Sequence, residues 1–189
     1  TGARVVIADE QQELGGSLLS EKTANIDGKP AAEWLASAVG ELGKLPEVKI
    51  LTRTTAFAYY DHNALSLIER VTDHLGPNAN GPRQRLWRIR ARKVILATGA
   101  IERPLVYLDN DRPGCITASA ARTYLNRFGV MPGRRVVLMT NNDSAYRAAL
   151  DLANAGVTIP VMIDLRDAPG GALVDAARAK GIEILAGHA

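Results

Sequence analysis

The stretch Thr1-Gly2-Ala3-Arg4-Val5-Val6-Ile7-Ala8-Asp9-Glu10 decides how the fold is read. It reads as the tail of a helix, a glycine stop, and a short apolar strand that ends in two carboxylates. A continuous apolar run of this kind suits a parallel strand buried on both faces, because crossover helices cover both sides of such a sheet. In a dinucleotide-binding fold the second strand ends beside the cofactor crevice, and a carboxylate there accepts hydrogen bonds from the adenosine ribose hydroxyls. Asp9 and Glu10 are therefore candidate ribose ligands. Their charge opposes a 2′-phosphate, so NAD or FAD is expected over NADP. Taken alone, the pair also allows a plainer reading as a turn or helix cap, where acidic residues are common.

Working outward, Glu13-Leu-Gly-Gly-Ser-Leu18 follows the acidic pair, and a tight turn at Gly15-Gly16 would bring backbone N–H groups and the Ser17 hydroxyl near a diphosphate. Trp34, Leu35, Ala38, Val39 and Leu42 recur at helical spacing and predict an amphipathic helix over 31–45. After Pro46 the period changes. Strands are predicted over 48–58, 64–71, 85–92 and 93–97, separated by Asp61-His62-Asn63 and the turn cluster 76–82. Short strands without intervening helices imply an antiparallel meander, at about 48–92, inserted in an α/β domain. On its first strand, the small residue Ala56 in Thr54-Thr-Ala-Phe57 would let backbone approach an adenine ring. The insert gives way to Val94-Ile-Leu-Ala-Thr-Gly-Ala100, a return to the buried-strand signature, whose Thr98 and Gly99 are candidate crevice residues.

A helix is predicted over 117–128. A regular series follows: strand 135–140, helix 144–154, strand 158–164, helix 171–180 and strand 182–185. Strands alternating with helices of this length indicate parallel βαβ units. Thr140-Asn-Asn-Asp-Ser-Ala145 stands where a Gly-rich phosphate loop would be. It has no glycine to let backbone approach a pyrophosphate, and Asp143 would repel one, so this unit reads as degenerate, with Asn142 or Asp143 as a helix cap. The fold class is α/β: a partial FAD/NAD(P)-binding Rossmann-like domain over 1–116 with a β-meander insert, then a second Rossmann-like βαβ domain over 117–189, incomplete at its C-terminus.

One element of the pattern is missing. The fingerprint G-x-G-x-x-G should precede the acidic strand end by about 20 residues. The chain instead begins without Met and enters the strand at once, so the first strand, phosphate loop and helix are read as removed or as belonging to sequence upstream. A pocket without that cradle is expected to bind its nucleotide poorly.

Composition bounds the rest. Of 189 residues 47% are hydrophobic and 23% charged, which fits a folded globular chain rather than a disordered one. No stretch is long and apolar enough to span a membrane as a helix. Arg83, Arg85, Arg88, Arg90, Arg92 and Lys93 supply much of the net charge of +3, but mostly alternate along a predicted strand, which points to one solvated strand face rather than a nucleic-acid groove. The lone Cys115 excludes an intrachain disulfide and a CxxC pair, so a reducing compartment, the cytoplasm, is expected. A lone cysteine is usually a small buried hydrophobe. His62, His74 and His188 have no spacing that suggests a metal site, and no catalytic residues are assigned.

With these residues assembled, the chain resembles the alpha subunit of heterotetrameric sarcosine oxidase. The resemblance is carried by Arg4-Val-Val-Ile-Ala-Asp-Glu10, Glu13-Leu-Gly-Gly-Ser-Leu-Leu19, Leu51-Thr-Arg-Thr-Thr-Ala-Phe57, Tyr59-Tyr-Asp-His-Asn63, Pro82-Arg-Gln-Arg-Leu-Trp87, Ala97-Thr-Gly-Ala-Ile-Glu-Arg-Pro104, Asn110-Asp-Arg-Pro-Gly114 and Thr140-Asn-Asn-Asp-Ser-Ala-Tyr146. It covers nearly the whole chain and a middle portion of the subunit. It implies an enzyme that oxidatively demethylates sarcosine to glycine, with hydrogen peroxide formed and the one-carbon unit passed to tetrahydrofolate. It also implies partners, the beta, gamma and delta subunits: beta carries FAD and shares FMN with alpha, and a small subunit carries zinc. The alpha subunit would bind NAD. By motif, Asp9 and Glu10 would hold the adenosine ribose, Gln11 would lie beside it, Ser17 would approach the diphosphate and Ala56 the adenine, with Thr98 and Gly99 lining the crevice. The folate-using part lies elsewhere in such a subunit, so this region alone is expected to be catalytically silent. The alternatives are a subunit of another two-dinucleotide-domain amine or opine dehydrogenase, and a non-catalytic interaction scaffold that pairs through exposed sheet edges.

Overall fold

A computed structural model describes residues 2–188. They divide into two units, Thr1–Gly99 and Ala100–Ala189. The division falls after Gly99. The reason is local: the Glu102 carboxylate accepts the backbone N–H groups of Ala118 (3.2 Å) and Ser119 (2.7 Å), tying 100–117 to the helix that follows.

In the first unit, strand β1 (Val5–Ala8) leads through a 3-10 turn (Gly16–Ser20) and a two-residue hairpin, β2 (Asn25–Ile26) and β3 (Lys29–Pro30), into helix α1 (Ala31–Gly43) and strand β4 (Val48–Leu51). β4 returns parallel to β1, Val5 opposite Val48 and Ala8 opposite Leu51. This is the crossover that the apolar run and helical stripe predict, but β1 is not buried on both faces as its apolar run suggests: Val5, Val6 and Ala8 are exposed and Ile7 is half-buried, because β1 pairs with β4 alone in a two-stranded sheet. Along α1, Trp34, Leu35, Ala38, Val39 and Leu42 are all half-buried on one face. Gly15 is required where it stands. Its φ is +138°, and a Cβ there would come within 2.5 Å of Leu35 Cδ2 on α1.

The segment predicted as one strand over 48–58 is two. Thr52 and Arg53 break it, with Arg53 in the left-handed region (φ 52°), so that β4 serves the parallel pair and β5 (Thr54–Tyr60) begins the meander. β5 pairs antiparallel with β6 (Ala64–Arg70), and β6 with β7 (Gln84–Arg90). A bulge interrupts β5 between Ala56 and Ala58. Along β7, Arg88 and Arg90 are exposed while Trp87 and Ile89 are half-buried, the one-sided alternation that the basic run predicts.

The strand predicted over 93–97 does not form. Residues 93–106 carry no helix or strand, and the apolar side chains of Ile95 (89%), Leu96 (69%) and Ile101 (93%) are exposed. An apolar run becomes a strand only where a neighbour accepts its ladder of hydrogen bonds, and among the described residues none does. Cys115 also departs from expectation. It is exposed, its Sγ 3.7 Å from the Asp109 carbonyl.

The second unit carries its own core. Helix α2 (Ala118–Phe128) is capped by the Thr117 side chain and stops at Gly129 in the left-handed region. Then come β8 (Leu138–Thr140), α3 (Ser144–Asn154), β9 (Val161–Asp164), α4 (Ala172–Ala179) and β10 (Glu183–Ala186). The three strands are parallel in the order β10-β9-β8. The predicted strands at 135 and 158 start later, touching first through a single bridge between Arg135 and Thr158. Tyr146, Ala149, Leu152, Met162, Val174 and Ala177 are fully buried together. α2 is held to α3 by Asp151, which accepts from Arg122 Nε (2.6 Å) and Asn126 Nδ2 (2.7 Å).

Candidate functional site

β1 delivers the acidic pair to the start of the meander. The Asp9 N–H donates to the Leu51 carbonyl at the end of β4 (3.0 Å), and the Asp9 carbonyl accepts from Thr54 N at the start of β5 (2.8 Å). The Gln11 carbonyl accepts from Arg53 N (2.7 Å), which explains the left-handed Arg53: its backbone turns so that β5 can be clamped against residues 9–11. Two arginine side chains complete the clamp. Arg53 Nη2 donates to Gln12 Oε1 (3.0 Å), and Arg70 Nη2 to the Glu10 carbonyl (2.9 Å). Sequence reasoning does not single out Arg53 or Arg70. Both lie far along the chain from residues 9–12, so no local pattern could connect them.

Asp9 is half-buried. Its Oδ1 accepts the Gln11 N–H at 2.8 Å, a turn that fixes the carboxylate, and among the described residues Oδ2 has no hydrogen bond. An ionised carboxylate accepts about four hydrogen bonds, so Asp9 has capacity for a pair of vicinal hydroxyls. Glu10 and Gln11 are exposed beside it. Ala56 is exposed on β5, two residues past the Thr54 contact and at the bulge, a feature that re-aims side chains. Ser17 is exposed on the 3-10 turn seated against α1 through Gly15 and Leu35. Asp9, Glu10, Gln11 and the strand bearing Ala56 are thus joined by backbone hydrogen bonds. Thr98 and Gly99 lie on the exposed, unpaired segment, and no hydrogen bond joins them to that frame among the described residues.

The second unit has the corresponding parts in a different state. Asp143 stands at the N-cap of α3 without a side-chain capping bond, and Asn142 Oδ1, one residue earlier, accepts Ser144 N (2.9 Å) and Oγ (2.6 Å). Asp143 instead receives Arg166 Nη1 (2.8 Å). At the end of β9, Asp164 is fully buried and bound to Arg166 and to the equally buried Tyr146. Burial pushes the Asp164 carboxyl up, but the hydrogen bonds from Arg166 and Tyr146 outweigh it and hold the group below the usual carboxylate range. Burial, then the adjacent Asp164, pushes the Tyr146 hydroxyl up to about 12. The hydrogen bonds to Asp164 and then Asp143 raise Arg166. Sequence offers one clue to this network, an arginine two residues past a strand-ending aspartate. Tyr146 gives none, because its partner comes from the neighbouring strand.

Among the described residues no three potential metal ligands of His, Cys, Asp or Glu cluster, and no helix is long and apolar enough to cross a membrane.

The architecture is an α/β protein with Rossmann-like neighbours. The L-proline dehydrogenase of P. horikoshii superposes with a TM-score of 0.66 at 24% identity, covering 88% of this chain and 32% of that one. An engineered water-forming NADPH oxidase solved with NADPH bound superposes at 0.58 and 14% identity, covering 98% of this chain and 41% of that one. At these identities the likeness is one of fold. No protein-family model matches the chain. Sequence gives the finer relation: over most of its length the chain is homologous to one segment of sarcosine oxidase alpha subunits. It is 51% identical over 170 residues to that of Rhizobium meliloti, covering 89% of this chain and 17% of the relative, and 45% identical over 189 residues to that of Corynebacterium sp. strain P-1, covering 99% and 19%. A subunit of the opine oxidase of Agrobacterium tumefaciens is 28% identical over 173 residues, covering 89% of this chain and 33% of the relative. The chain therefore spans under a fifth of the length of the sarcosine oxidase subunits it matches, and the relatives are oxidoreductase subunits.

Proposed function

We propose that this chain is the NAD-holding region of a sarcosine oxidase alpha subunit, in which Asp9 accepts hydrogen bonds from the adenosine ribose. The observation that carries the proposal is the half-buried Asp9 carboxylate at a parallel-strand end, fixed at one oxygen and uncommitted at the other. Its chemistry fits a ribose: two vicinal hydroxyls donate and a carboxylate accepts, at a place where the fold class puts the ribose. Glu10 adds charge that opposes a 2′-phosphate, which favours NAD over NADP. Gln11 lies beside the ribose, Ser17 approaches the diphosphate, Ala56 leaves space for the adenine, and Thr98 and Gly99 are the outer candidates. NAD in this position, if it undergoes no turnover, serves as a structural or regulatory ligand. These residues bind and orient, and none is assigned a catalytic step.

In the same reading the whole enzyme, in the cytoplasm, oxidatively demethylates sarcosine to glycine, forms hydrogen peroxide and passes the one-carbon unit to tetrahydrofolate. FAD is carried by beta and FMN lies between alpha and beta; gamma and delta complete the assembly. Identities of 51% and 45% to sarcosine oxidase subunits, against 28% to an opine oxidase subunit, favour sarcosine over an opine as the amine oxidised. The exposed Ile95, Leu96, Ile101, Val106 and Leu108 suit a protein that works covered by other polypeptide.

Calorimetric titration of NAD into the intact subunit in its complex tests the site. Saturable binding is expected, and Asp9→Ala weakens it about 10- to 100-fold, the range of about 1.5–3 kcal/mol for hydrogen bonds to a charged group. Unchanged affinity in Asp9→Ala, or no binding to the unaltered complex, would overturn the proposal.

A further inference from the structure

The second unit has the layout of a nucleotide half-domain: three parallel strands in the order β10-β9-β8, a loop from β8 into α3, and a carboxylate closing β9. In such a unit the diphosphate rests on the first helix N-terminus and the ribose on the carboxylate that ends the second strand. Here both places are taken by the chain's own side chains. Asp164 Oδ1 accepts from Arg166 N (3.0 Å) and Arg166 Nε (3.0 Å), and Oδ2 accepts from Arg166 Nη2 (2.7 Å) and Tyr146 OH (2.7 Å). Those four bonds use the roughly four acceptor positions an ionised carboxylate has, and the residue is 0% exposed. No lone pair is left for a ribose hydroxyl, and none of the carboxylate can be reached. The other end of the same guanidinium, Nη1, holds the Asp143 carboxylate (2.8 Å) in the loop that enters α3. A negative charge thus already stands where a phosphate would bind. The loop from Thr140 to Ala145 has no glycine through which backbone could approach one.

We propose that the second α/β unit is closed to dinucleotides by an internal ligand, Arg166, which bridges the ribose-binding position (Asp164) and the phosphate-binding position (Asp143). The closure does not rest on the reading of Asp9 above.

Equilibrium dialysis of the intact complex with NAD, and separately with NADP, is read together with amide hydrogen exchange of peptides covering 9–17 and 138–166. The expected result is NAD binding with slower exchange at 9–17, and no change at 138–166 with either nucleotide. NADP is the sharper probe, because an arginine beside a strand end could take a 2′-phosphate if it were released from Asp164. Protection of 138–166 by either nucleotide would overturn the closure. Absence of protection in both segments would sink the Asp9 reading and leave the closure supported. Arg166→Ala is the direct variant but risks misfolding, so Tyr146→Phe, which removes one of the four bonds, is measured beside it. Both leave NAD affinity unchanged in the folded protein, and a fall in that affinity in Tyr146→Phe counts against the proposal.

Discussion

Each of the two units ends a parallel strand in an aspartate, and the two aspartates have opposite fates. Asp9 is half-buried, takes one hydrogen bond from its own turn, and keeps acceptor capacity. Asp164 is wholly buried and saturated by Arg166 and Tyr146. A carboxylate at a strand end is therefore not in itself a cofactor ligand. What decides is how many of its lone pairs the protein has already engaged. The neighbours that engage them differ for a simple reason. Near Asp9 the two arginines are engaged elsewhere, Arg53 on Gln12 and Arg70 on the Glu10 carbonyl. Near Asp164 the arginine turns back on the strand end itself.

The largest test of this contrast is Arg166→Ala. It leaves the buried Asp164 charge without its counter-ion, so it should be the most destabilising of the changes considered. Denaturant unfolding followed by hydrogen exchange in β8, β9 and α3 should register that loss, while exchange in β1 and β4 stays unchanged. A loss below about 1 kcal/mol would mean that the network is incidental.

Next in size is an alkaline effect. The Tyr146 hydroxyl has its folded pKa raised from 10 to about 12, so its contribution is fully present below pH 10 and lost as pH rises through about 12. A shift of that size corresponds to about 2–3 kcal/mol. The second unit should loosen between these pH values, and Tyr146→Phe should remove the dependence along with the hydroxyl's bond. At the acid end the sign reverses. Asp164, held below its ordinary range, stabilises the fold above about pH 4, and this is lost as pH falls through the lowered value.

The smallest effect separates the two aspartates most sharply. Asp9→Ala removes one hydrogen bond to its own turn and should change unfolding stability by about 0.5–1.5 kcal/mol. Its larger effect falls on NAD affinity. A large loss of stability in Asp9→Ala would erase the distinction between an open and a sealed strand end.

Much of the molecule is legible along the chain. The apolar run ending at Ala8, the stripe from Trp34 to Leu42 and the alternation from Leu138 to Ala186 predict parallel units because strand and helix periods are written locally. The misreadings have one origin. The break at Arg53, which splits a predicted strand, is fixed by a hydrogen bond to Gln11, far away in sequence. The apolar run from Val94 to Ala97 fails as a strand because strand formation needs a neighbour, which a run cannot announce.

Sequence by itself determined the α/β class, the acidic pair that closes β1, the missing phosphate-loop glycines of the second unit and the relation to sarcosine oxidase alpha subunits. Only the tertiary structure decided which strand-end aspartate stays open and which is sealed. A residue's identity fixes how many hydrogen bonds it can accept, but the donors that fill them arrive from other strands and loops, and their arrival depends on how the chain closes in space.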